Sequence, residues 1–282
     1  MVETKSKKRV GILRGGSGKH YVHSLQKGGE IISYISLKLS DKYKVIDILV
    51  DKDYIWHLGG VPINTSDLVN KIDVVWNTSH PSFSNILDSL AIPNIGNKVF
   101  LSEQIKKFGV QMPRSIISPK NAKEVFEKFG APWIIKNSNE IRLVKTFDEL
   151  VEIINDSDDL IVEEFIAGKV ASVHSVSGFR NEDIYIFPLG NLPAGKAGAF
   201  GSFSKEEKEK LSNLAKDLHK ITNAIHYLKL DFILNPRGKV YLLQIDGMPD
   251  LKIDSHFSEA CESVGAQMHN VVEHILEQAC YN

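Results

Sequence analysis

The chain is 282 residues long, 43% hydrophobic and 24% charged, with a formal net charge of −1 spread over both signs. That balance suits a globular protein with a sizeable core in one to three domains, and the lack of a basic stripe argues against nucleic acid as the main partner. Two cysteines, Cys261 and Cys280, form neither a metal-binding spacing nor a disulfide framework; no signal peptide or membrane span is visible, so a cytoplasmic location is expected.

The first element is the short apolar run Arg9 to Leu13, followed by Arg14-Gly15-Gly16-Ser17-Gly18 and a helix expected from about Ser24 to Leu39. Strand, glycine turn and helix open a βαβ unit, although GGSG lacks the spacing of a dinucleotide fingerprint. Strands are expected at Tyr43 to Val50 and Ile72 to Trp76, then a helix near Phe83 to Leu90 and a short apolar segment at Ile92 to Ile95. Alternation over the first 95 or so residues predicts a parallel sheet covered by helices.

Helices are expected at Asn97 to Phe108, closed by Gly109, and at Ala122 to Phe129, closed by Gly130. Pro132 to Lys136 reads as a strand with a lysine at its end. Thr146 and Glu149 form a capping box for the helix Phe147 to Ile154, and Leu160 to Ile166 is a strand running into acidic residues. Antiparallel strands are expected at Ser172 to Val176 and Ile184 to Pro188, a Gly/Ala-rich loop at Asn191 to Ser202, and a strong helix from Ser204 to about Ile221. A last helix from about Ser258 to Ala279 carries Val264, Met268, Val271, Val272 and Ile275 as a core stripe.

The most informative stretch is Lys229 to Asp250. Two apolar strands flank the turn Asn235-Pro236-Arg237-Gly238, and acceptor oxygens stand at their ends: Asp231 on the first, Gln244 and Asp246 two apart on the second, hence on one face. Hard oxygen donors of this kind suit Mg²⁺ beside a phosphate; an ordinary hairpin with solvated ends is the plainer alternative. Lys136 fits a phosphate oxygen or a solvated strand edge. Of Glu163 and Glu164, alternation lets only one enter a cleft. His20, His23 and His174 are scattered, and no nucleophile–base arrangement or zinc spacing has supporting context.

Taken in order, GILRGGSG, IPNIGNK, APWIIK, LIVEEFIAG and LDFILNPRGKVYLLQIDGMPD resemble the ATP-grasp superfamily and, within it, the D-alanine–D-alanine ligases, over nearly the whole chain. The resemblance implies an α/β fold: an N-terminal parallel-sheet domain (1–96), then a central (97–167) and a C-terminal (168–282) α+β subdomain that clasp ATP. It implies activation of a carboxylate as an acyl phosphate that an amine attacks, a small amino-acid or dipeptide-like substrate, a role in peptidoglycan biosynthesis and a homodimer. By matching positions, Lys98 and Lys136 would approach ATP phosphates, Glu163 the adenine hinge and Leu243 the base. Asp231, Gln244 and Asp246 would hold Mg²⁺, Lys229 would face the tetrahedral intermediate, and Ser255 and His20 would lie near substrate.

The departures are equally specific. Lys136 is followed by Asn137-Ser138-Asn139-Glu140-Ile141 where the family has a glycine-rich lid. Val170 stands for a ribose-binding glutamate, Ser102 for a lysine, and His20 for a glutamate that meets the first substrate's ammonium. Gln244 stands for a metal-binding glutamate, Asp246 for an asparagine and Lys229 for an arginine. The resemblance therefore implies one of three things: a ligase with a degraded site, a catalytically inactive relative that binds or scaffolds, or another ATP-grasp reaction on a different acid.

Overall fold

A computed structural model describes residues 6–18, 21–96, 105, 107–137, 141–156, 160–189, 202–222 and 224–281. The first sheet is built from β1 (Lys8–Gly15), β2 (Tyr43–Val50), β3 (Trp56–Leu58), β4 (Val61–Ile63), β5 (Val74–Asn77) and β6 (Asn94–Gly96), in the order β4-β3-β2-β1-β5-β6. The β2-β1-β5-β6 block is parallel; β3 and β4 add an antiparallel edge, each three residues long and too short to show a period in sequence. Helix α1 (Tyr21–Lys38) packs Ile31 and Ile35 on one face of the sheet, against Val10, Ile12 and Trp76. Helix α2 (Ser82–Ser89) packs Phe83 and Leu87 on the other, against Leu13, Ile48 and Val75. Strand order therefore reverses between β1 and β5, and an open parallel sheet leaves a crevice at the carboxyl ends of the strands there.

The second sheet is antiparallel, in the order β7-β10-β8-β9: β7 (Ser115–Ile117), β8 (Trp133–Lys136), β9 (Ile141–Val144) and β10 (Ile161–Glu164). Helices α3 (Ala122–Lys128) and α4 (Phe147–Asp156) cover one face, where Val125, Trp133, Ile135, Leu150 and Val162 form the core. Asn121 caps α3 by accepting from Glu124 N at 3.0 Å. Most of the helix expected over 97–108 lies outside the described residues.

The third sheet, β12-β11-β13-β14, consists of β11 (Lys169–Ser177), β12 (Ile184–Ile186), β13 (Tyr227–Leu234) and β14 (Val240–Asp246), all antiparallel. Helix α5 (Lys205–Ile221) covers one face through Leu211, Ala215 and Leu218 and begins with a Ser204/Glu207 capping box. The predicted turn is present: Gly238 N donates to Asn235 O at 2.9 Å, and the Asn235 side chain accepts from Arg237 N and Lys239 N.

His219 of α5 is 1% exposed and sits between Ser175 Oγ (2.8 Å) and Ser177 Oγ (2.9 Å). Burial lowers its pKa to about 4. An imidazole held neutral in the folded state contributes stability that is complete above its unfolded pKa of about 6.5 and declines as the pH falls toward the folded value. From about pH 7 to about pH 5.5 the loss from this one group is about 1 kcal/mol. Burial lowers His174 and His256 as well, so their contributions carry the same sign. Urea unfolding at the two pH values checks this, with a shallower pH dependence expected for His219→Gln.

The C-terminal stretch forms two helices, α6 (His256–Glu262) and α7 (Met268–Tyr281), rather than the single expected one. Gly265 is the reason. It adopts φ +66°, its N–H donates to Glu262 O, and Ala266 N donates to Cys261 O, a left-handed helix stop that periodicity does not reveal. Gly265→Ala is expected to lower stability by about 1 kcal/mol, readable as a shift in denaturant midpoint. The stripe itself is core: Val271, Val272 and Ile275 share one cluster with Val10, Ile12 and Trp76 of the first sheet, Val176 of the third and Phe187 just after β12. The last two helices thus join the first and third sheets.

Candidate functional site

Between the second and third sheets lies a cavity of about 390 Å³. Its walls come from strand ends whose alternation points selected side chains inward. On β8 and β10, Ile134 lies opposite Glu163, so Ile134, Lys136 and Glu163 share one face, and Lys136 Nζ meets Glu163 Oε2 at 2.7 Å. Glu164 turns its carboxylate to Arg114, accepting from its Nε at 2.7 Å and its backbone N at 2.9 Å. On the third sheet Val170, Ser172, Asp231 and Ile233 contribute. The ladder between β13 and β14 shifts register between Asp231 and Phe232, leaving Leu243 without a direct partner. A bulge of this kind lets neighbours share a side, and Leu243 and Gln244 both line the cavity. Regular alternation would have separated them.

Beyond Leu243 the surface becomes polar. Asp231 pairs with Gln244 across the ladder and Lys229 with Asp246, which places all four on one face. Lys229 Nζ is 3.0 Å from Asp231 Oδ2, and Ser172 Oγ donates to Asp231 Oδ1. Asp246 Oδ1 accepts from Met248 N at 2.9 Å, and burial raises the Asp246 pKa. Among the described residues no three His, Cys, Asp or Glu converge as a metal cluster. Two carboxylates and one amide oxygen remain, a hard-oxygen set that suits Mg²⁺, since that ion is commonly held by one or two carboxylates and completed by phosphates and water.

A second cavity, about 520 Å³, opens at the strand-order reversal of the first sheet. Its floor is Gly15, Gly16 and Ser17 at the end of β1; residues 78–83 and Tyr54 form its sides, and residues 244–246 with Met248 close it. Gly15 and Gly16 have φ of +92° and +94°, and a Cβ on Gly15 would come within 2.1 Å of Val50 O, so glycine is required where the chain leaves β1. Hydroxyls fix the surrounding backbone: Ser79 Oγ donates to Gly15 O, Thr78 Oγ1 to Leu13 O, and Gly15 N donates to Ser24 Oγ. Gln244 lines both cavities, so they adjoin along β14.

Not every expected site residue comes to these cavities. Ser255 and Lys229 line neither cavity; Ser255 caps α6 by accepting from Ser258 N at 3.1 Å and donates to Asp250 O at 2.8 Å. Lys98, Ser102 and His20 lie outside the described residues, as do residues 138–140 of the short β8–β9 connection. Sequence reading missed a buried chain next to Lys229: His174 Nε2 meets His256 Nδ1 at 2.7 Å, and His174 Nδ1 meets Tyr227 OH at 2.6 Å. Burial keeps both imidazoles neutral and the phenol protonated. Its members are 53 and 82 residues apart from His174, so no spacing signal announces them.

Two antiparallel sheets that face each other across an apolar cavity, with lysine and carboxylates at one end, define a nucleotide-clasping α/β architecture. The family model for the ATP-grasp domain matches residues 95–247, and the chain belongs to that family. Its length resembles that of the D-alanine–D-alanine ligases: it is 24% identical to the Geobacter sulfurreducens enzyme of that name, with 96% of this chain and 94% of that protein aligned. The D-alanyl-alanine synthetase A of Vibrio cholerae shares the fold at a TM-score of 0.74 and 16% identity, covering 98% of this chain and 99% of that one. So does the D-alanine–D-alanine ligase of Bacillus anthracis complexed with ATP, at a TM-score of 0.70 and 18% identity, with 96% of each chain covered. Among the described residues no helix is long and apolar enough to cross a membrane.

Proposed function

We propose that this chain is an ATP-dependent carboxylate–amine ligase of the D-alanine–D-alanine ligase type, acting on small acids and amines. The observation that carries this reading is a pair of adjoining cavities, one apolar and one polar, that share Gln244, with Asp231 lining the first and Asp246 the second. Leu243, Ile134 and Ile233 suit the faces of a purine, and Lys136 suits a phosphate oxygen, exchanging Glu163 for the ligand. Asp231, Gln244 and Asp246 would hold Mg²⁺, which supplies charge neutralisation for phosphoryl transfer when bound.

In the reaction class proposed, a substrate carboxylate oxygen attacks the terminal phosphorus of ATP, the bond to the bridging oxygen breaks, and ADP leaves. The acceptor amine then attacks the acyl carbon, phosphate departs, and the amine gives up a proton. Lys229, paired with Asp231, would stabilise the oxyanion of that second step, although an ammonium lacks the two-pronged geometry of a guanidinium. Release of ADP that requires both a carboxylate and an amine, in the presence of Mg²⁺, tests the reading.

A second reading, a relative that binds without turnover, draws on Val170 in the nucleotide cavity and on the mutual pairing of Lys136 and Glu163. It predicts nucleotide binding by calorimetry with no ADP formed from any pair of candidate substrates.

A further inference from the structure

The polar cavity holds an unusual balance of charge for a site that would receive an amino acid. Its ionisable lining consists of His23, Tyr54, His80 and Asp246. Asp246 is the only carboxylate among the described lining residues, it stands on the wall shared with the nucleotide cavity, and it belongs to the proposed metal set. Asp47 and Asp51, on and just after β2, are paired with Arg14 and His57. An ammonium brought into this space would lose its hydration and find, among the described lining residues, no carboxylate but Asp246 of the proposed metal set, which disfavours it.

Neutral hydrogen-bonding groups are plentiful instead. Ser17 and Tyr54 bond to each other through their hydroxyls, and Ser82 Oγ lies 2.7 Å from His80 Nδ1, which leaves the far nitrogen of that ring uncommitted. Hydroxyls and imidazoles can each donate or accept, so they match a ligand hydroxyl in either role.

We propose that the acid activated by this chain carries a hydroxyl, not an ammonium, next to its carboxylate: the substrate is a small 2-hydroxy acid bound in the cavity between Gly16, Tyr54 and His80. This rests on the ligase reading above and concerns the acid that is phosphorylated, not the amine that accepts it. The acyl carbon lies on the side of Gln244 and Asp246, and the 2-hydroxyl is directed toward the hydroxyl and imidazole wall. Transfer runs as already written, with the carboxylate oxygen bonding to phosphorus and ADP leaving; the 2-hydroxyl takes no part in bond making.

The test compares matched pairs, both enantiomers of lactate against alanine and of glycerate against serine, by calorimetric titration of the full chain with Mg²⁺ and a non-hydrolysable ATP analogue. A hydroxy acid is expected to bind at least about tenfold more tightly than its amino counterpart. Hydroxylamine serves as a small acceptor in a parallel assay with ATP: it converts an acyl phosphate to a hydroxamate with release of phosphate, and the hydroxamate is expected from the hydroxy acid. His23→Glu, on the exposed first turn of α1, adds a carboxylate to the wall and is expected to move the preference toward the amino acid.

Equal or tighter binding of the amino acid to the unmodified chain overturns the proposal while leaving the ligase reading intact. So does binding of the nucleotide analogue with no binding of any acid. Failure of the nucleotide analogue itself to bind removes the ligase reading, and the substrate assignment falls with it.

Discussion

Asp231→Asn is expected to lower Mg²⁺-dependent nucleotide affinity by about a hundredfold, equivalent to about 3 kcal/mol, and to abolish ADP formation. The substitution keeps side-chain shape and an acceptor for the Ser172 hydroxyl, but removes one of the two carboxylates on the face that carries Gln244 and Asp246. Removing it withdraws a hard anionic oxygen from Mg²⁺ and also releases Lys229 from its 3.0 Å ion pair. The sign reverses without metal: a carboxylate near a triphosphate repels it, so the asparagine variant should bind metal-free nucleotide as well as the parent or better. Calorimetric titration with and without Mg²⁺ separates the two effects. A loss of equal size in both conditions would mean that Asp231 shapes the cavity and does not touch the metal.

The same face shows what sequence could and could not reveal. Strand–turn–strand at Lys229 to Asp246 was legible because alternation of apolar residues and an Asn-Pro-Arg-Gly turn are local signals. The shared face of Gln244 and Asp246 follows from a period of two. The register shift beside Phe232 does not, and without it Asp231 would stand opposite Leu243, leaving Gln244 and Asp246 on the other face. The first sheet was read as parallel from its strand–helix alternation, but its polar cavity depends on where strand order reverses, a property of pairing between residues far apart. Lys136 and Glu163 were each visible as strand-end charges, whereas their ion pair depends on which strands lie side by side. The His174–His256–Tyr227 chain was illegible for the same reason: three strand and helix positions converge only after the third sheet and α6 have packed.

Val170→Glu is expected to tighten nucleotide binding by roughly tenfold to a hundredfold, reversing the usual direction of a substitution at a binding site. Val170 is half-buried on β11, opposite Ile233, and lines the cavity where Ile134 and Leu243 provide apolar surface. A valine cannot accept the hydrogen bonds of a ribose diol, so those donors would be left to water or unpaired. A glutamate at a half-buried position can keep its own hydration while accepting from the sugar, and a hydrogen bond to a charged acceptor is worth about 1.5–3 kcal/mol. Lys136 in the same cavity offsets the added negative charge. Val170→Leu extends the apolar wall without adding an acceptor and should leave affinity within about threefold of the parent. The gain in the glutamate variant should vanish with a 2′,3′-dideoxy nucleotide. If it persists there, the new carboxylate acts through the general field of the cleft, and the sugar lies elsewhere than beside β11.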